Sequence, residues 1–110
     1  AVDDAFQLGV GLHRDRELGV ATAAMLHLAA ASPTLKYAMD SHYHDQIDDI
    51  ITEPFRYRNG CFGVPSGPGL GVTLDPDKVA KYHRLYREQG SVNEFYDPYR
   101  PGWVPALPIF

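Results

Sequence analysis

Acid and base side chains follow two short apolar runs of this chain. His13 comes directly after residues 9–12. Asp40 and His42 end a second run, which begins at Leu35. An imidazole exchanges protons near neutral pH, so His13 is a candidate general acid or base. Asp40 and His42 lie two apart on a predicted strand, so their side chains share a face and can reach one ligand together. The plainer alternatives are a hydrogen-bonded structural histidine and a surface pair.

One apolar helix, predicted over residues 17–31, joins the two runs. The first run is predicted as a strand from Phe6 to Leu12, and two strands joined by such a crossover run parallel. The acid and base side chains are therefore expected together at one edge of an α/β sheet. That edge is where such folds carry their chemistry.

The residues at the helix ends indicate where the helix begins and stops. Asp15 is predicted as the N-cap, and Glu17 favours the first turn because its charge lies near the positive end of the helix dipole. Ser32-Pro33 ends the helix. Asp15 is equally suited to contact a substrate. The helix is apolar on nearly every side, so it is expected to pack against a sheet and other helices at once.

The second half of the chain contains a hairpin and a helix. Residues 55–64 alternate in strand fashion around Asn59-Gly60, the preferred pair for a two-residue turn. Asp75-Pro76 predicts a capped helix start, and Gly90 predicts its end. The aromatic tail that follows, residues 91–110, is expected to be ordered only where it lies across another surface.

Three other features carry weaker signals. His42 and His44 have a spacing that suits two metal ligands, but no third ligand is fixed by the same element. The Gly/Pro loop 65–71 lacks the strand before it and the helix after it that a phosphate-binding loop requires. Cys61 is interpreted as a packed strand residue without a base to activate its thiol.

The composition argues against several classes of function. Lys and Arg number 10 against 14 Asp and Glu, and the basic residues are scattered, so nucleic acid is not expected as a partner. A single cysteine excludes an internal disulfide framework and fits a reducing compartment, which predicts a cytoplasmic location. The longest stretch of low polarity, residues 18–31, is shorter than the ~20 residues of a membrane crossing. The opening residues have no signal-like block, as expected of an interior start.

Several runs of the chain stand in a characteristic order and spacing. They are His13-Arg14-Asp15-Arg16-Glu17-Leu18-Gly19, the alanine-rich run 23–31, Met39-Asp40-Ser41-His42, Glu53-Pro54-Phe55 and the loop from Val64 to Val72. The most specific patterns are His-x-x-x-x-Leu-Gly and Pro-x-x-Pro-Gly-Leu-Gly-Val. Together these runs resemble the C-terminal part of the glucarate dehydratases, which belong to the mandelate racemase group of the enolase superfamily.

The resemblance implies an α/β fold that forms part of a modified TIM barrel. Residues 1–50 would be the final βαβ part of that barrel. Residues 51–110 would be a C-terminal extension with a hairpin, a Gly/Pro loop, one helix and an aromatic tail, packing on the barrel and on a lid domain. The partners implied are an acid-sugar carboxylate substrate, the remainder of the enzyme chain and further copies in a homo-oligomer.

The resemblance also implies a reaction and site residues. In this family a base removes the proton alpha to a carboxylate, Mg²⁺ stabilises the enediolate, and a neighbouring hydroxyl leaves as water. His13 matches the histidine of a His-Asp dyad, Asp40 an aspartate near the barrel centre, and His42 a histidine that holds the substrate. A lysine base, the metal ligands and the aspartate partner of His13 would lie upstream of this chain, so no metal ligand is predicted within it.

The chain departs from the family pattern next to His13. The family usually has His-Ser-Asn there, whereas this chain has Arg14 and Asp15. Repulsion between Asp15 and a diacid substrate, or a direct bond from Arg14 to it, would redirect specificity. The alternative to an enzyme is a non-catalytic half-barrel module or degenerate homologue that binds a partner through its apolar helix and aromatic tail.

Overall fold

The computed structural model describes residues 2–13 and 17–90. Three α-helices and one 3₁₀ turn occur in this part of the chain: α1 (Val2–Ala5), α2 (Gly19–Ala31), the 3₁₀ turn Tyr43–Asp45 and α3 (Pro76–Gln89). Two compact units divide the chain, Ala1–Val79 and Ala80–Phe110. The first unit contains all the residues that position the candidate site. No helix in the described ranges combines the length and the apolar character that a bilayer crossing demands.

The two segments predicted as strands lie side by side where they pair, and they run parallel, as the crossover rule requires. Val10 and Leu35 form a parallel bridge, and the backbone N–H of Asp40 donates to the carbonyl of Leu12 at 3.1 Å. The pairing in the described residues is limited to isolated bridges, so extended strands are not confirmed. Two paired segments alone form at most a marginal sheet, because a stable one needs further strands or a covering layer.

The predicted strand start at Phe6 is wrong. Residues Val2–Ala5 form a helical turn, and the N–H of Phe6 donates to the carbonyl of Val2 at 3.1 Å. Asp3 and Asp4 lie in the first turn of this helix, where negative charge is favourable. The chain becomes extended only after this turn.

Helix α2 begins later than predicted, and its N-cap position is Leu18, which has no polar side chain to cap with. Asp15 is therefore not the N-cap; it lies outside the described residues. A carboxylate distant in the sequence caps the helix instead, since the N–H of Gly19 donates to Oδ1 of Asp49 at 3.0 Å. The predicted end is confirmed, because Ser32 is the C-cap residue.

The inner face of α2 supplies much of a small core. Ala23 and Leu26 are buried there, and Tyr43 and Ile51 complete the apolar set. Residues 50–52 pair antiparallel with residues 73–75 through the Ile51–Leu74 bridge. The opposite face of α2 stays open, with Leu28 half exposed. Within the described residues α2 is therefore packed on one face, whereas the sequence predicted packing against a sheet and other helices at once.

Gly19 lies at the closest approach between α2 and the core. A Cβ atom there would lie 2.5 Å from Oδ2 of Asp49 and would also overlap Cδ1 of Ile51. Because both neighbours are buried and cannot retreat, Gly19→Ala is expected to lower the free energy of unfolding by about 1–3 kcal/mol. Chemical denaturation measures this change. Gly63→Ala is the control, since a Cβ at Gly63 meets nothing within 4 Å, and equal losses in both variants would contradict the prediction.

The predicted hairpin turn is confirmed. Arg58 and Cys61 exchange two backbone hydrogen bonds of 2.9 and 3.0 Å. Asn59 and Gly60, which lie between these residues, have φ values of 52° and 76° respectively. Two successive positive φ values define the type I′ turn that Asn-Gly favours. Cys61, however, is exposed, so its interpretation as a packed residue is wrong. Its place directly after the turn leaves it at the solvent-facing tip of the hairpin.

Helix α3 begins and ends as its capping residues predict. Oδ1 of Asp75 accepts the N–H groups of Asp77 and Lys78 at 3.0 and 3.1 Å. Gly90 follows the helix with a φ of 75°, the left-handed conformation that suits a C-terminal glycine. The aromatic tail 91–110 lies outside the described residues.

Candidate functional site

His13 and Asp40 meet where the two parallel segments end. Nδ1 of the His13 ring lies 2.9 Å from Oδ2 of Asp40. The backbone bond between Asp40 and Leu12 sets the register of the two segments, so His13 directly follows the paired region and Asp40 lies at its last hydrogen bond. The structure thus brings together the two residues for which the sequence predicts the central chemistry. The resemblance placed the aspartate partner of His13 upstream of this chain, whereas among the described residues Asp40 makes this contact.

The contact determines which nitrogen of His13 is available for reaction. A carboxylate can only accept hydrogen bonds, so Nδ1 carries the hydrogen that is donated to Asp40. In the neutral ring, Nε2 then has a free lone pair. A histidine oriented in this way is arranged to take a proton through Nε2 and to return it later.

Both side chains are open to solvent, with His13 80% and Asp40 55% exposed. An exposed ion pair stabilises a fold only slightly, because water screens the charges. The contact therefore serves chiefly to orient the ring. Its exposure also leaves room for a substrate beside Nε2.

His42 lies at the end of the extended segment rather than within it. It occupies the N-cap position of the 3₁₀ turn, with φ −99° and ψ 17°, which is not a strand conformation. The two-residue strand repeat that predicted a shared face with Asp40 therefore does not reach His42. Its ring stacks with His44 at a centroid distance of 6.5 Å, and His44 makes an edge contact with Tyr57.

The remaining predicted site residues, Arg14 and Asp15, lie outside the described residues. Within residues 2–13 and 17–90, no group of three or more His, Cys, Asp or Glu side chains is arranged to hold a metal ion. The described residues therefore do not fit a complete magnesium site.

Sequence reasoning missed a buried carboxylate behind the site. Asp49 is 2% exposed and accepts hydrogen bonds from the N–H groups of Gly19 and Ile50 and from the hydroxyl of Tyr43. The only signal in the sequence is an acidic pair, Asp48-Asp49, before an apolar pair. Nothing in that pattern shows which of the two carboxylates is buried.

A second connection joins the same parts of the chain. Nε2 of Gln46 donates to the carbonyl of Glu17 at 2.8 Å. Glu17 precedes α2, and Gln46 follows the 3₁₀ turn. The segments after His13 and after Asp40 are therefore linked twice, once through Asp49 and once through Gln46.

Comparison with known proteins identifies relatives over nearly the whole chain. The probable glucarate dehydratase of Streptomyces coelicolor is 38% identical over 115 residues, which cover 98% of this chain and 27% of the relative. Muconate cycloisomerase 1-2 of Acinetobacter lwoffii is 47% identical over 45 residues, which cover 41% of this chain and 12% of the relative. The chain spans about a quarter of the length of the first of these relatives.

Solved structures agree with the sequence matches. An isomerase from Streptomyces coelicolor superimposes with a TM-score of 0.79 and 44% identity over 84% of this chain and 24% of that protein. An enolase from Pseudomonas fluorescens with bound magnesium, potassium and tartrate gives a TM-score of 0.77 and 39% identity over 82% of this chain and 22% of that protein. The model of the enolase C-terminal domain-like family matches residues 1–78. The chain therefore belongs to the enolase C-terminal domain-like family.

Proposed function

We propose that this chain is the C-terminal part of a magnesium-dependent acid-sugar dehydratase of the glucarate type, hereafter the complete enzyme. The observation that carries the proposal is the 2.9 Å contact between Nδ1 of His13 and Oδ2 of Asp40, which leaves Nε2 as a base. The 38% identity to a probable glucarate dehydratase supports the choice of reaction. The expectation that residues 1–50 end the barrel and residues 51–110 extend it is part of the same proposal.

The proposed chemistry has two steps. Nε2 of His13 takes the proton from the carbon alpha to the substrate carboxylate, and the electron pair left behind forms an enediolate. Nε2–H then gives its proton to the hydroxyl on the next carbon, which leaves as water as its carbon–oxygen bond breaks. The enol product becomes a 2-keto acid. Asp40 keeps the imidazole in its reactive tautomer and balances the positive charge that the ring gains in the first step.

The metal of the proposed enzyme is expected to be held upstream of this chain. Bound Mg²⁺ supplies positive charge beside the substrate carboxylate. The magnesium in the Pseudomonas fluorescens and Gibberella zeae enolase structures supports this part of the proposal. A homo-oligomer in the cytoplasm is proposed as well, from the resemblance and from the single cysteine.

Arg14, Asp15 and His42 are proposed to bind the acid sugar. Arg14 offers the paired N–H donors that suit a carboxylate, and His42 lies two residues beyond Asp40. Asp15 places a negative charge where the family has a neutral amide. We therefore propose that Asp15 disfavours diacids relative to monoacids, so that the glucarate type describes the reaction and not the preferred substrate.

Asp15→Asn is expected to improve the use of diacids. Removing one like charge near a second carboxylate lowers the electrostatic penalty, which corresponds to about a tenfold rise in kcat/KM for an aldarate relative to an aldonate. The ratio is measured for both substrates in the complete enzyme. Asp77→Asn, which removes an exposed acid from α3, is the control for a general effect of net charge. An unchanged ratio would remove Asp15 from the specificity of the site.

A cycloisomerase is the second candidate, because Muconate cycloisomerase 1-2 is 47% identical over 45 residues. Only dehydration releases water and forms a 2-keto acid. The complete enzyme with Mg²⁺ is therefore tested against an acid-sugar library and against cis,cis-muconate. Keto-acid formation supports the dehydratase, lactone formation supports the cycloisomerase, and no turnover of either supports a non-catalytic homologue.

A further inference from the structure

We propose that Asp49 is a positioning residue for the His13–Asp40 pair, an inference that rests on the proposed dehydratase function. Asp49 touches neither side chain of the pair. It acts by joining the start of α2, at Gly19, to the segment that carries Asp40, here called the Asp40 loop (residues 40–46). The hydrogen bonds of a single buried carboxylate hold Gly19 and Tyr43 together.

The first step of the argument is the hydrogen bonding of Asp49. Oδ1 accepts the N–H of Gly19 at 3.0 Å and the N–H of Ile50 at 2.6 Å. Oδ2 accepts the hydroxyl of Tyr43. A carboxylate with 2% exposure cannot replace these donors with water, so losing one donor weakens the whole arrangement.

The second step is the path from Asp49 to the site. The bond from Gly19 fixes Asp49 to the first residue of α2. Tyr43 lies within the Asp40 loop, and its N–H donates to Oγ of Ser41 at 3.3 Å, one residue after Asp40. Asp40 is thus connected to the buried carboxylate through a short segment, and His13 is connected to it through its contact with Asp40.

The third step is the rigidity of these connections. Tyr43 is 7% exposed and makes edge contacts with Phe55 and Phe62 at centroid distances of 5.8 and 5.5 Å. Its hydroxyl also accepts the N–H of Phe55 at 3.1 Å. Gly19 has no space for even one added carbon atom. Because neither Gly19 nor Tyr43 can shift freely, the carboxylate at position 49 controls the distance between the start of α2 and the Asp40 loop.

This arrangement explains how an exposed pair can keep a fixed geometry. His13 and Asp40 are too open to be held by their own packing. A catalytic group must nevertheless stay within a fraction of an ångström of its productive position. Asp49, which is buried, keeps the His13–Asp40 pair in this position through its hydrogen bonds.

The test compares Asp49→Asn with Asp48→Asn in the complete enzyme. Asp48 is the adjacent carboxylate; it pairs with Lys78 of α3 at 2.8 Å, so its loss perturbs the same region. Asp49→Asn is expected to lower kcat up to about 10²-fold, the effect of a misplacement of about 1 Å, while KM changes little because Asp49 does not touch substrate. Asp48→Asn is expected to leave kcat within about twofold, as for a substitution away from the reacting groups.

A spectroscopic measurement separates positioning from loss of stability. ¹⁵N NMR of the His13 ring reports whether Nδ1 carries the hydrogen. The wild-type enzyme and Asp48→Asn are expected to show the Nδ1–H tautomer, whereas Asp49→Asn shows a mixture. Tyr43→Phe removes one donor from Asp49 while keeping the ring, and it is expected to shift the same signal if Asp49→Asn does not fold.

The outcomes are distinct. An unchanged His13 tautomer in folded Asp49→Asn and Tyr43→Phe overturns the positioning role, as does an equal loss of kcat in Asp48→Asn. If the wild-type enzyme dehydrates no acid sugar, the proposed function fails. The NMR comparison still decides in that case whether Asp49 sets the geometry of His13.

Discussion

His13→Asn in the complete enzyme is expected to abolish dehydration of at least one substrate epimer. An amide cannot take a proton from carbon, and the loss of a positioned acid or base costs about 10²–10⁴-fold in rate. Affinity for Mg²⁺ is expected to stay unchanged, because His13 bonds to Asp40 and is not proposed as a ligand. Steady-state kinetics with each epimer and a magnesium titration measure both quantities.

His83→Asn is the matched control for this substitution. His83 lies in α3, in the second compact unit, and carries the same kind of ring. Its replacement is expected to leave kcat unaltered. Undiminished turnover in His13→Asn would exclude His13 from the mechanism, and a parallel loss of magnesium would reassign it as a ligand.

Asp40→Asn is expected to have the second largest effect, although it preserves the size and shape of the side chain. The amide can donate its own N–H to Nδ1 of His13, which moves the ring hydrogen to Nε2. The nitrogen that faces substrate then has no lone pair, and kcat falls by up to about 10⁴-fold, as in other histidines whose carboxylate partner becomes an amide.

The same variant makes a prediction about the state of the ring. ¹⁵N NMR of His13 is expected to show the change from the Nδ1–H to the Nε2–H tautomer. Asp75→Asn is a suitable comparison, because Asp75 also accepts hydrogen bonds but caps α3 instead of contacting a histidine. Full activity in Asp40→Asn would show that the 2.9 Å contact has no part in the reaction.

The elements that sequence analysis predicted well are those whose causes are local. The type I′ turn depends on Asn59 and Gly60 themselves. Helix α3 depends on Asp75 at one end and Gly90 at the other. In each case the residues that fix the backbone lie within a few positions of the structure they form, so a single sequence contains the required information.

The errors concern interactions between distant residues. A cap for α2 was expected from Asp15, but the carboxylate that accepts the N–H of Gly19 lies 30 residues away. The two neighbouring acids at 48 and 49 look alike in the sequence. One is buried and the other pairs with Lys78, a difference that only the tertiary packing creates.

The candidate site could be predicted from the sequence only in part. The contact of His13 with Asp40 spans 27 residues, yet it could be predicted because a helical crossover makes its two flanking segments parallel. The position of His42 could not, because the chain leaves the extended conformation one residue too early. The crossover rule therefore predicts reliably at which edge two parallel segments end. It predicts less reliably which residue is the last of each segment.

The tight approach at Gly19 has a consequence for the evolution of this family. Positions 19, 49 and 51 share one small volume, so a change at any of them alters what the other two can tolerate. Homologues that carry alanine or serine at the first position are expected to carry a shorter side chain at one of the others. Such covariation would mark the three positions as a single inherited unit, even though they are separated by up to 32 positions along the chain.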